Sequence, residues 1–178
     1  SEQGRELLRE MDRLGLILDA THLCDKTFWE ALDLFQGPVW ASHHNCRTLV
    51  NDPRQLADEQ IKALAERGSV IGLAFDVWMV VPGWERGVTT HADKPEANLE
   101  AVADHVDHYC QLLGTSRYIG IGTDLDGGFG TEQTPAGLDL ISDLNEFRAI
   151  LERRGFSEQD LAGIFHQNFL DFLKKAWT

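Results

Sequence analysis

Tyr118-Ile119-Gly120-Ile121-Gly122-Thr123-Asp124-Leu125-Asp126-Gly127 is a short apolar run that stops abruptly on carboxylates and glycines. Three runs of the same make precede it. They are Leu16-Ile17-Leu18-Asp19-Ala20, Pro38-Val39-Trp40-Ala41-Ser42 and Val70-Ile71-Gly72-Leu73-Ala74-Phe75. Each is nearly continuous rather than alternating, as strands buried on both faces are. The stretches between them are amphipathic at helical spacing, so the chain reads as successive βα units on a parallel sheet, an α/β fold. Four such units amount to half of a (β/α)8 TIM-type barrel, with two open edges. Two readings stay open at this point: one half of a larger barrel, or a small open-sheet domain complete in itself. No linker, repeat or low-complexity segment divides the chain, so residues 1–178 are expected to form a single domain.

The helices carry readable punctuation. Residues 5–11 predict a helix leading into the first strand. Asp25 is placed to cap a helix whose apolar face is Phe28, Leu32 and Phe35. A second is expected from Pro53 to Arg67 with Gly68 as its stop, and a third from about Glu96 to Leu113, closed by Gly114. After the fourth strand, residues 140–154 read as a helix stopped by Gly155, and Ser157 with Asp160 as a capping box.

Composition narrows the partners. Acidic residues outnumber basic ones by 29 to 16, a formal net charge of −13. So negative a surface repels phosphate backbones and anionic lipid, and neither nucleic acid nor a membrane is expected as a partner. The excess fits a cytoplasmic protein, the expected location, or a site that holds cations; an upstream leader, since removed, stays open. No apolar run approaches the roughly 20 residues of a membrane span. Cys24, Cys46 and Cys110 are odd in number and lack metal spacing, so free thiols are expected.

The chemistry lies where the runs end. His22 follows the first, His43 and His44 the second, and Asp124 the fourth. In a parallel barrel the C-terminal strand ends share one face, where active sites are assembled. A single histidine there is ordinarily a hydrogen-bonded structural residue. Imidazole and carboxylate together at successive ends suit a divalent transition metal such as zinc. The third run has no such residue at its tip, although Asp76 lies close by. His105 and His108, three apart in mid-helix, are expected to serve packing or the surface, and His91 reaches the site only if its loop folds over it. Arg54, read alone, is a solvated arginine ahead of a helix.

Four motifs are similar, in order and spacing, to those of the membrane (renal) dipeptidase family. They are Asp19-Ala20-Thr21-His22, Ala41-Ser42-His43-His44-Asn45-Cys46-Arg47, Asn51-Asp52-Pro53-Arg54-Gln55-Leu56 and Gly120-Ile121-Gly122-Thr123-Asp124-Leu125-Asp126-Gly127. The family's versions read Asp-x-Ser-His, Ser-His-Ser-x-x-Arg, Arg-Asn-Leu and Gly-x-Gly-Ser-Asp-Phe-Asp-Gly. The resemblance spans essentially the whole chain. It implies the C-terminal half, strands five to eight, of a metal-dependent hydrolase barrel with two zinc ions, a bridging hydroxide and dipeptide substrates. It further implies His22 and His43 as ligands of one zinc, Asp124 beside the water and the substrate's amino group, and Arg54 on the substrate's C-terminal carboxylate. The family's remaining ligands, a His-x-Asp pair and a bridging glutamate, have no counterpart here and are expected upstream of Ser1, so this half alone holds one zinc or none. Where the family has Asn-Phe-Tyr, this chain reads Ala74-Phe75-Asp76.

Two other outcomes remain in view. The half-barrel is a non-catalytic module that pairs with a second copy as a homodimer or with its own N-terminal half, since two imidazoles leave zinc short of ligands. Otherwise the metal barrel hydrolyses another C–N bond, in an N-acyl amino acid or a cyclic amide.

Overall fold

The structure, a computed structural model, describes residues 1–177. Helix α1 (Glu2–Arg13) starts at Ser1, whose hydroxyl accepts the Gly4 N–H. Then come β1 (Leu18–Asp19), α2 (Asp25–Leu34), β2 (Val39–Trp40), α3 (Asp58–Glu66) and β3 (Ile71–Leu73). A long loop follows β3, and the chain continues with α4 (Leu99–Leu113), β4 (Ile119–Ile121), α5 (Leu144–Arg153), α6 (Glu158–Ala162) and α7 (Asn168–Ala176).

The strands are parallel and short. Leu18 lies opposite Val39, and Ile71 opposite Ile119. A single parallel bridge, Ala41 to Ile71, joins the two pairs, so the four follow one another in chain order. Regular pairing is confined to two or three residues per strand. The helices between cover one side of it, and Phe28, Ile61, Leu64, Val102, Val106, Phe147 and Ile164 belong to one continuous buried cluster. The expected α/β architecture is thus present, with strands shorter than the apolar runs that announced them.

Three helices begin later than their composition suggests: α5 starts at Leu144 after a 3-10 turn over Ile141–Asp143, and the other two each have a local reason. The expected helix from Pro53 starts at Asp58. Leu56 donates to Asn45 O and Arg47 to Leu56 O, so residues 54–57 are pinned to the loop after β2. The helix expected from Glu96 starts at Leu99, because the Asn98 side chain accepts from Glu100 N and Ala101 N. The expected stops are as drawn: Gly68, Gly114 and Gly155 all have positive φ, the region other residues avoid. Ser157 and Asp160 form their capping box.

Gly72 and Gly122 sit at the same height, and a side chain at either would collide with the Ser42 carbonyl. Three strands meet there by backbone alone, a close approach that only glycine permits. Lower on the same face, the Phe169 ring of α7 fills the space over Gly120, and Trp40 stacks on Phe172 with centroids 5.6 Å apart. Among the described residues no helix is long and apolar enough to cross a membrane.

Candidate metal and substrate site

The first turn after β1 carries His22, and the turn after β4 carries Asp124. Their φ angles are 68° and 61°, the two positive values among non-glycine residues described. Each is a left-handed position that costs an L-residue about 1 kcal/mol, of the kind found where a side chain must be aimed. His43 follows β2. These turns bring the His22 and His43 Nε2 atoms to 3.2 Å, with the rings 5.1 Å apart at 69°. The Asp124 carboxylate lies 3.8 Å from His43 Nε2.

Beneath the imidazoles runs a chain of hydrogen bonds. Asp19 Oδ1 accepts from Thr21 N and Ser42 N, tying the tip of β1 to that of β2. The Ser42 hydroxyl donates to Thr21 Oγ1 and lies 2.9 Å from His43 Nδ1. Ser42 thus holds the far nitrogen of the imidazole, Nδ1, and turns Nε2 toward His22 and Asp124. Burial holds the His43 pKa below the ordinary value, and the Asp124 charge works against it. A neutral ring, oriented through its far nitrogen, is the form in which histidine ligates metal.

Two nitrogens on one tetrahedral zinc, each about 2.0–2.1 Å from it, stand about 3.3 Å apart. The His22–His43 separation matches that edge, so this donor pair fits a zinc ion. The pair is incomplete: among the described residues no group of three or more His, Cys, Asp or Glu side chains is arranged to hold a metal.

Arg54, whose isolated reading was a solvated side chain, is half-buried. Its Nη2 donates to His43 O at 3.1 Å, and its Nη1 lies 3.2 Å from the His44 ring. Burial lowers its pKa, while Asp124 and Asp19 act in the opposite sense. His44 follows the bend after β2, and its backbone N–H donates to Gly72 O at 2.7 Å. It is buried against Arg54, and burial keeps it neutral. Its role as a backstop for Arg54 left no mark in the sequence.

The remaining histidines lie elsewhere. His105 accepts Cys46 N–H at Nδ1 and meets Val80 O through Nε2, wholly inside the core. His108 pairs with Asp58 at 2.8 Å, and His91 packs on Trp84 with ring centroids 5.1 Å apart. All three cysteines are free, and burial pushes the Cys46 thiol up, out of reach of nucleophilic use.

An α/β chain that presents paired imidazoles, a carboxylate and a half-buried arginine at parallel strand ends has the makings of a metallohydrolase. Residues 1–178 match the membrane dipeptidase family (peptidase family M19). The chain belongs to that family. It is 31% identical over 170 residues to an uncharacterised dipeptidase of Schizosaccharomyces pombe, covering 96% of this chain and 38% of that protein. It is also 31% identical to the dipeptidase tcpJ of Claviceps purpurea, covering 99% of this chain and 38% of the relative. Among solved structures it resembles a metallopeptidase from Rhodobacter sphaeroides bound to a phosphinate mimic of the dipeptide L-Ala-D-Ala. The TM-score is 0.84 at 27% identity, with 99% of this chain and 47% of that one covered. The chain therefore spans well under half the length of these curated relatives.

Proposed function

We propose that this chain supplies the C-terminal half, strands five to eight, of a (β/α)8 barrel that hydrolyses dipeptides with zinc. The observation that carries the reading is the 3.2 Å approach of His22 Nε2 to His43 Nε2 with Asp124 alongside. In this reading His22 and His43 hold one zinc ion, and the other ligands come from the rest of the intact protein. Zinc, when bound, supplies Lewis acidity and a hydroxide nucleophile at neutral pH. Arg54, braced by His43 O and the His44 ring, binds the substrate's terminal carboxylate. Asp124 accepts the proton released on attack and holds the substrate's ammonium group. The half-barrel reading draws support from four parallel strands in chain order. Association with the missing half, or with a second copy, is supported by an apolar groove of about 270 Å³ lined by Leu7, Leu8, Met11, Leu18 and Leu34 beside the free edge of β1.

The test uses the intact protein. Asp124→Asn should lower dipeptide turnover by about 10²- to 10⁴-fold, the usual worth of a proton-transfer group, with metal content unchanged by elemental analysis. Parallel loss of zinc and activity would make Asp124 a structural or ligating group instead. Cleavage of N-acyl amino acids with no turnover of L,L or L,D dipeptides would overturn the substrate class.

A further inference from the structure

Beyond β3 the chain departs from the family pattern at Asp76, which is fully buried. Phe75 donates to Thr123 O, so residues 75–76 run beside residues 123–124. Asp76 continues in extended backbone, with φ −74° and ψ 116°, ahead of a 3-10 turn over Val77–Met79. One of its oxygens, Oδ2, accepts from Trp78 Nε1 at 2.8 Å and from Arg86. The other, Oδ1, is buried with no partner among the described residues.

Arg86 is brought back to this carboxylate by a loop with a crank at each side, Gly83 at φ 70° and Gly87 at φ 74°. The guanidinium lies 5.0 Å over the Trp78 ring, and its side chain is 54% exposed. Among the described residues only its Nη2 has an acceptor, so Nε and Nη1 are open to a solute. The pair is therefore a fixed dipole, with the anion sealed inside and the fork of donors outside. A carboxylate arriving at this wall meets the cation first, and the stacked fork needs little reorganisation to receive it. Arg86 also lies near enough to Arg54 for the two cations to repel. A ligand with two carboxylates would relieve that repulsion.

We propose that Arg86, held by Asp76 and Trp78, is a specificity-determining residue that binds an acidic side chain on the C-terminal residue of the substrate. The proposal rests on the dipeptidase reading and on Arg54 as the holder of the terminal carboxylate. It makes dipeptides such as Ala-Asp preferred over their neutral isosteres such as Ala-Asn.

The test compares these two peptides in the intact protein and its Arg86→Gln and Arg86→Lys variants. Turnover is measured on the metal-loaded form, and calorimetric binding on the chelated form, where hydrolysis is absent. Wild type should favour Ala-Asp by about 10- to 100-fold, the worth of one hydrogen bond between charged groups. Arg86→Gln should erase that preference, with the loss on Ala-Asp exceeding any change on Ala-Asn by the same factor, and Arg86→Lys should restore part of it. Equal losses on both peptides, or no preference in wild type, overturn the proposal. Arg86-dependent binding of Ala-Asp without turnover of any dipeptide would retain the acidic subsite and sink the dipeptidase reading. Turnover of Ala-Asn with no Arg86 effect on either peptide would do the reverse.

Discussion

The tips of β1 and β2 differ sharply in construction from the loop that follows β3. At the first, Asp19, Thr21, Ser42 and His43 are joined by successive hydrogen bonds, and Asn45 next to them bonds Ala74 N, Ala74 O and Met79 O. In the second, Asp76 Oδ1, Trp84 Nε1 and His91 Nδ1 are buried without partners, three of the five such side-chain atoms among the described residues. A buried unpaired group costs about 1–3 kcal/mol, so the loop is held by apolar packing of Val77, Met79 and Trp84 against that cost. The imidazoles proposed to hold a metal, His22 and His43, sit on the saturated region. The loop with orphaned groups has the chemistry of a wall that changes when a ligand supplies the missing partners.

His105 is one bolt between the two regions, beside Asn45, since it bonds Cys46 on one side and Val80 on the other. Its removal should have the largest effect. His105→Ala leaves two buried backbone groups unpaired and opens a cavity, at a cost of about 3–4 kcal/mol in urea unfolding. A loss under about 1 kcal/mol would mean the regions are joined by other means. The same residue makes the junction acid-sensitive. Burial takes its pKa from the ordinary 6.5 to about 4. The unfolded chain therefore binds the proton more readily than the folded one, and stability present above pH 6.5 is lost as the pH falls through 4. The slope is about 1.4 kcal/mol per pH unit in that window. His105→Gln should reduce that slope in pH-resolved denaturation without abolishing it, because buried His44 is shifted in the same sense.

Smaller changes probe each region separately. Ser42→Ala breaks the link to His43 Nδ1 and should cost about 1 kcal/mol of stability, with zinc affinity reduced about 10- to 100-fold in competition with a chelator. Unchanged affinity would show that His43 needs no help in presenting Nε2. In the loop, Trp84→Phe removes an orphaned N–H but also leaves a cavity where the larger ring was; the two offset, and its thermal unfolding should move by less than about 0.5 kcal/mol. A larger loss would reveal a partner for that indole in solution.

The sequence placed the four apolar runs, the glycine stops and the capping box, because each depends on a few adjacent residues. It also singled out His22, His43, Arg54 and Asp124, which the fold brings to one place around the tips of β1, β2 and β4. Pairings that cross the chain were not legible. Cys46 and His105 are 59 residues apart, and the bonds pinning residues 54–57 to the loop after β2 delay α3 against the composition of its first turn. Asp76 stood out as a carboxylate close to the end of an apolar run, yet its partner ten residues on is fixed by a fold-back that two left-handed glycines make. Around the short strands single backbone bonds carry on, His44 N to Gly72 O and Phe75 N to Thr123 O, which no local pattern announces.

The left-handed backbone at His22 and Asp124 sets folding and chemistry against each other. Glycine suits φ values of 68° and 61° better than either residue does. Replacing either with glycine should therefore leave a chain that folds at least as well and has lost a group of the proposed site. Selection for robustness alone would drift toward glycine at these two turns, and a screen for heat resistance alone would collect such variants first.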